Sequence, residues 1–342
     1  MHDLTIHDWI IDELRSYDLG HPANFLSASL QLAVLQLVTA GLSRNADEET
    51  YTGALLGAFC STSFFCASGF PRKAGPDMCW QRHSKNSRYR DGEKHTGADF
   101  TLIIRTKENF ARAAVFQAKN AKSEAGSFEV DHASPATDKR PPEQQIVRLV
   151  DHCISIMAEI AKVRAEEQSQ SAPIVPSFEG LEWAHYLVYH DYSNACCQVS
   201  NLRNSYETAR ANRVPGRVRL KEENAIPLVD LLAAGCNEDT GEVQGWISLE
   251  SLAEIRAFTE HAKQFFDVYE SRTDPDADWK PVSSLAITSS RNERKAMVRK
   301  GFMVPECQES RLASVDVQPD RTAENQAPSN RQRNPGMTNG RR

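Results

Sequence analysis

The sequence predicts an α/β fold with a mixed central sheet flanked by helices, and three observations predict it. Residues 99–106 and 112–119 read as two strands around a turn, with apolar residues on both faces, as in a central sheet. Residues 142–166 put Ile146, Leu149, Val150, Cys153, Met157 and Ile160 on one helical face. Residues 185–191, HYLVYHD, read as a buried strand beyond the break at Pro173 and Pro176.

The other elements follow in chain order. Residues 4–17 form an acidic amphipathic helix, without the basic start and apolar core of a signal peptide. Residues 23–42 carry Leu and Val at helical spacing. Asp47, Glu48 and Glu49 open a third helix over about 48–66, where acids suit the positive end of the helix dipole. A Pro/Gly loop spans Phe70 to Pro76, a short strand 78–83 and a basic loop 82–95. After the hairpin, the polar stretch 120–142 is a loop, and Pro142 begins the next helix. A basic segment (203–221), an apolar piece (226–236) and a helix over 248–271 come last. The domain division is a helical cap at 1–44, a core at 45–195, a mixed extension at 196–302 and a disordered tail at 303–342, rich in Pro, Asn, Gln and Arg.

The chain has 342 residues, 40% apolar and 25% charged, which is enough to bury a sizeable core. A net charge of −6 gives no global footprint for nucleic acid, so any such surface is local. Three local basic stretches exist, at 82–94, 203–221 and 291–300, and the first leads into the hairpin. None of the eight cysteines forms a CxxC pair, so no zinc site is indicated, and buried free thiols in a reducing cytoplasm are expected. Residues 22–43 and 50–71 carry no charge and are long enough to span a bilayer. Asn24, Gln31 and Gln36 in the first, and Ser61, Thr62, Ser63 and Ser68 in the second, fit buried core helices better.

The hairpin carries polar residues that a plain structural hairpin does not need. With Glu108 at the centre of the turn, Asp99 sits opposite Gln117, and Lys119 lies two residues further on the same face. Phe100, Leu102, Ile104, Ala114, Phe116 and Ala118 take the other face. A carboxylate, an amide oxygen and an ammonium converging on a buried rim are costly without a partner. A hard divalent cation justifies such oxygens, and a lysine beside it can orient a water and stabilise charge on a phosphate.

Asp99, a hairpin and then Gln117-Ala118-Lys119 resemble the PD-(D/E)xK nuclease superfamily, and most closely its Mrr-type restriction endonucleases with Gln in place of the first acid. The α-β-β-β-α-β order of residues 48–191 is similar to the restriction-endonuclease-like core of that superfamily. The resemblance implies Mg²⁺- or Mn²⁺-dependent phosphodiester hydrolysis, DNA as partner and a role in restriction or phage defence. Asp99 would hold the metal, the Gln117 side-chain oxygen or the adjacent Ala118 carbonyl would complete its protein ligands, and Lys119 would position the water. An additional acid on the preceding helix, which would bind metal or orient a ligand, is Glu49, on the stripe Glu49, Gly53, Leu56 and Cys60, with Glu48 the alternative. Because Gln117 is neutral, an inactive relative that only binds nucleic acid is the alternative reading. A homodimer is compatible with the sequence, and no membrane partner is expected.

Outside the motif, Gln144 and Gln145 could reach the site or simply start a helix. His185 and His190 point to opposite faces and read as core or surface residues, and Cys196-Cys197 reads as packing.

Overall fold

The computed structural model describes residues 5–17, 19–44, 46–70, 77–83, 93–121, 127–130, 144–169, 175–190, 193–221, 223–260 and 266–269. The chain divides into two units, residues 1–288 and 289–342, and the second lies outside the described residues. So do the expected disordered tail at 303–342 and the basic stretch 291–300.

Three helices come first: α1 (Ile6–Ser16), α2 (Phe25–Thr39) and α3 (Glu48–Gly69). Each has a side-chain N-cap: Thr5 for α1, Asn24 for α2 and Asp47 for α3, whose oxygens accept from free amides of the first turn. The apolar runs of α2 and α3 are largely buried, and some of their polar groups bond to neighbouring elements. Ser29 Oγ lies 2.8 Å from Thr62 Oγ1, and Asn24 Nδ2 donates to the Cys236 carbonyl at 3.0 Å. Among the described residues no helix is long and apolar enough to cross a membrane.

Strand β1 (Asp77–Arg82) and the four-residue helix α4 (Glu93–Thr96) precede the hairpin of β2 (Phe100–Lys107) and β3 (Phe110–Asn120). The register is the one expected, with Phe100 opposite Phe116, Leu102 opposite Ala114 and Ile104 opposite Arg112. Both faces are buried. After the short strand β4 (Ser127–Phe128) comes α5 (Gln145–Glu167), which starts at Gln145 rather than at Pro142, a residue outside the described set. Next are β5 (Ala184–His190), β6 (Ser193–Gln198), α6 (Arg203–Arg210), β7 (Val218–Arg219), β8 (Ile226–Pro227), α7 (Leu228–Gly235), β9 (Ile247–Leu249), α8 (Leu252–Glu260) and β10 (Phe266–Tyr269).

Eight of these strands form one mixed sheet, in the order β10-β1-β2-β3-β5-β6-β8 with β9 also paired to β3. β3 is its centre. Its second half runs parallel to β5, and its first half, Ala111–Ala113, pairs antiparallel with β9. On one face Phe100, Leu102, Phe116 and Leu187 pack under α1, α2, α3 and α7. On the other, Ile103, Val115, Tyr186 and Val188 pack under α5, α6 and α8. The molecule is thus a mixed α/β layer structure, and the α-β-β-β-α-β order over 48–191 is present with α4 and β4 added.

Three expectations are corrected. The single helix over 248–271 is instead β9, α8 and β10, because Ile247–Leu249 pairs with β3 and Phe266–Tyr269 pairs with β1. Ser251 then caps α8 through the amide of Glu254. Residues 193–198, to which the sequence reading assigned no element, are a strand whose Cys196 and Cys197 pack on opposite faces of the sheet. The boundary at residue 195 therefore falls inside β6, and the extension after it supplies β8, β9 and β10 to the same sheet. Likewise the helices of residues 1–44 share one apolar core with the sheet.

Arg112 is an unexpected core residue. It is fully buried on β3, and its guanidinium donates to the carbonyls of Gly235, Asn237, Asp239 and Gly241. A charge buried this deeply is tolerable only because so many oxygens face it.

Candidate active site

The site forms where β2 begins and β3 ends. Gly97 sets the approach. Its φ is +68°, and a Cβ there would lie 2.6 Å from the Gln145 carbonyl oxygen and 2.8 Å from the Leu149 nitrogen. Only glycine lets the chain pass this close to the first turn of α5. Two residues on, the Asp99 amide donates to the Phe116 carbonyl at 2.8 Å, which fixes the carboxyl beside the end of β3.

Asp99, Gln117, Ala118 and Lys119 meet there. Asp99 Oδ2 accepts from the Ala118 amide at 2.7 Å and from Gln117 Nε2 at 2.5 Å. Gln117 therefore turns its nitrogen, not its oxygen, toward Asp99, and the same nitrogen donates to the Ala118 carbonyl at 3.1 Å. Its Oε1 is buried and has no hydrogen-bond partner. Lys119 Nζ stands 3.6 Å from Glu48 Oε1.

The helix acid in contact with the site is thus Glu48. The stripe expected through Glu49 is not the buried side of α3: Glu49 and Gly53 are exposed, whereas Tyr51, Thr52, Leu55, Leu56 and Phe59 face inward. One residue along a helix turns the side chain by about 100°. Two hydrogen bonds pin this end of α3 to the sheet, between Thr52 Oγ1 and Tyr189 Oη at 2.7 Å and from Asn194 Nδ2 to Tyr51 Oη at 2.9 Å.

A second acid, Glu93, escaped the sequence reading. It lies in α4, inside the stretch expected to be a basic loop, and Gln145 Nε2 donates to its Oε1 at 3.5 Å. Gln145 is buried, and its own Oε1 lacks a partner, as does that of Gln144. The only signal for Glu93 was an acid in a basic run just before Gly97.

Carboxyl groups outnumber the one ammonium at this rim. The Asp99 carboxyl is pushed up to about 7, first by burial and then by Glu93 and Glu48, which together outweigh the Ala118 amide and Lys119. A carboxyl that resists ionisation, next to a buried amide oxygen with no partner, is stabilised by an arriving hard cation. Among the described residues no three His, Cys, Asp or Glu side chains gather to hold a metal by themselves. The oxygens that converge are the Asp99 carboxylate and the Ala118 main-chain carbonyl, with the Gln117 amide nitrogen between them, so its oxygen joins the set only when the amide turns over; such a set suits Mg²⁺ or Mn²⁺ better than zinc.

Other expectations resolve simply. His185 is a core histidine bonded to the Gly245 carbonyl at 2.8 Å and stacked on Phe116. Cys196 and Cys197 are buried free thiols, both pushed up by burial. In the basic segment 203–221, Arg203 pairs with Glu179 and Glu207, and Arg217 with Glu129. The middle of the basic segment before the hairpin, 84–92, lies outside the described residues.

Fold and site together define a mixed α/β protein with a carboxylate–amide–ammonium cluster at one end of its central hairpin. Comparison with protein-family models, curated proteins and solved structures gives no match.

Proposed function

We propose that the protein is a metal-dependent nuclease that hydrolyses phosphodiester bonds, with DNA as its substrate, on a restriction-endonuclease-like core. The observation that carries this reading is the meeting of Asp99, Gln117 and Lys119 on one rim, with the Asp99 carboxyl pushed up to about 7 by its surroundings and the Gln117 oxygen buried without a partner. The mixed sheet supports it too, since the hairpin is followed by a helix and a strand parallel to β3.

Asp99 would hold Mg²⁺ or Mn²⁺ together with the Ala118 carbonyl, or with Gln117 Oε1 once that amide turns over from the orientation in which its nitrogen faces Asp99. When bound, the ion supplies Lewis-acid polarisation of a phosphate and lowers the pKa of water. Lys119 points its ammonium at the same rim, where it donates to the attacking water or to a phosphate oxygen as charge builds. Glu48 steers that ammonium. Glu93 and Gln145 orient groups around Asp99. The setting in restriction or phage defence, and a cytoplasmic location, follow from the resemblance to PD-(D/E)xK enzymes.

Cleavage of supercoiled and linear DNA with Mg²⁺ or Mn²⁺ tests the reading. Wild type should cut, and Asp99→Ala and Lys119→Ala should not, while all three unfold at similar temperatures. Equal cutting by all three would overturn the assignment. DNA binding without cutting by any of them would favour a non-enzymatic nucleic-acid-binding protein, a reading that the neutral Gln117 supports.

A further inference from the structure

The polar row at the rim runs one strand further than Asp99. β1 pairs antiparallel with β2, and its last pair sets Arg82 opposite Phe100. One residue on, the His83 amide donates to the Asp99 carbonyl at 2.7 Å, so His83 lies opposite Asp99. Directly opposed residues put their side chains on one face of a sheet. His83, Asp99 and Gln117 therefore follow one another across β1, β2 and β3.

The His83 ring is buried, and both its nitrogens are engaged. Nε2 lies 3.0 Å from Thr101 Oγ1, and Nδ1 lies 3.3 Å from Thr96 Oγ1. Thr96 Oγ1 also accepts from the Ala98 amide at 3.2 Å. The two threonines are buried and stand on either side of Asp99, one just before Gly97 and one at the start of β2. One imidazole thus ties together both ends of the segment that carries the carboxyl. A threonine hydroxyl donates and accepts, so the ring is satisfied in either neutral tautomer. From α5 the His152 ring packs edge-on against it, with centroids 5.8 Å apart and planes at 80°. An apolar side chain could fill this place in the core, but the two buried hydroxyls would lose these bonds and Asp99 its lateral hold.

We propose that His83 is a positioning residue for Asp99: by clamping Thr96 and Thr101 it fixes where the Asp99 carboxylate meets a divalent cation. The proposal rests on the nuclease reading for the use made of that cation. The bonds that carry it do not involve Gln117, Lys119 or Glu48.

Mn²⁺ binding to the full chain, measured by calorimetry, and DNA cutting with Mn²⁺ test it together. His83→Leu removes both bonds, Thr101→Val removes one with little change of shape, and His83→Gln can still reach Thr101. Mn²⁺ should bind His83→Leu about tenfold more weakly than wild type, the usual scale for a group that orients a metal ligand. Thr101→Val should fall between the two, and His83→Gln should stay within about threefold of wild type. Cutting should need correspondingly more Mn²⁺ to reach half its maximal rate. A side chain that serves packing alone would make Mn²⁺ affinity follow the melting temperature in chelator. The clamp instead requires His83→Gln to recover affinity even where it melts as low as His83→Leu. Should His83→Leu fail to fold, Thr101→Val against wild type decides. Unchanged affinity in His83→Leu, or an equal loss in His83→Leu and His83→Gln, overturns the proposal, and a wild type that cuts DNA then keeps the nuclease reading. Affinity that weakens in His83→Leu, in a protein that cuts no DNA, keeps the clamp and overturns the nuclease reading. A wild type that binds no Mn²⁺ overturns both.

Discussion

Lys119 holds its ammonium 3.6 Å from the Glu48 carboxylate, with only 13% of the lysine side chain exposed. The contact joins the last turns of the central strand to the first turn of α3. It sets where the lysine can point, and it puts a second negative charge near Asp99.

Glu48→Gln should therefore lower DNA cleavage by about 10²-fold, the usual scale for a group that positions a proton donor. Glu49→Gln should leave it within about twofold, since that side chain is exposed. Initial cleavage rates with Mg²⁺ separate the two acids.

Asp99→Asn should stabilise the metal-free protein. The Asp99 carboxyl is raised from an ordinary value of 3.8 to about 7. Ionising it costs folding free energy as pH rises through that window, so the penalty is greatest above 7. Asn still accepts the Ala118 and Gln117 hydrogen bonds and carries no charge. At pH 8 with a chelator, the variant should gain on the order of 1–2 kcal/mol. Added Mg²⁺ should raise the melting temperature of wild type but not of the variant.

Gln117→Glu should do the reverse. A second carboxylate beside Asp99 replaces the Nε2 donor with a like charge. Thermal unfolding in chelator should fall below wild type, and the rise on adding Mg²⁺ should be larger.

Acid should unfold the protein partly through His185. Burial holds this imidazole down at about 4, from an ordinary 6.5. Between those values the unfolded chain binds a proton that the folded chain does not, so stability drops as pH falls through the window and levels off below it. The group accounts for roughly 3 kcal/mol. Urea unfolding at pH 7, 5.5 and 4 should show this slope, and His185→Phe should flatten it.

Arg112→Met should loosen one loop. The carbonyls of residues 235, 237, 239 and 241 lose their shared donor. Stability should fall by about 3 kcal/mol, and hydrogen exchange should rise first in residues 235–245.

Much of the central architecture was legible because it is local. The hairpin register followed from a symmetric apolar pattern around Glu108, and Asp99, Gln117 and Lys119 came together with it. Glu48 and Glu49 stayed open as alternatives, because α3 is apolar on most sides and its pattern does not single out one buried face. Glu93 was missed because its helix has four residues and depends on how Gly97 meets α5, two segments far apart in sequence. β9 and β10 were hidden for a related reason: residues 248–271 have helical spacing, and only their pairing with β3 and β1 makes strands of their ends.

The sharing of one β3 edge between β5 and β9 has a consequence for how the chain is made. During synthesis the hairpin leaves the ribosome early, yet Ala111–Ala113 finds its partner only when Ile247–Leu249 has emerged. Until then a flat, apolar strand edge stands open to other nascent chains. Folding is consequently a late, nearly all-or-none event, and chains stopped before residue 247 should be captured by chaperones or aggregate rather than accumulate as a smaller folded core.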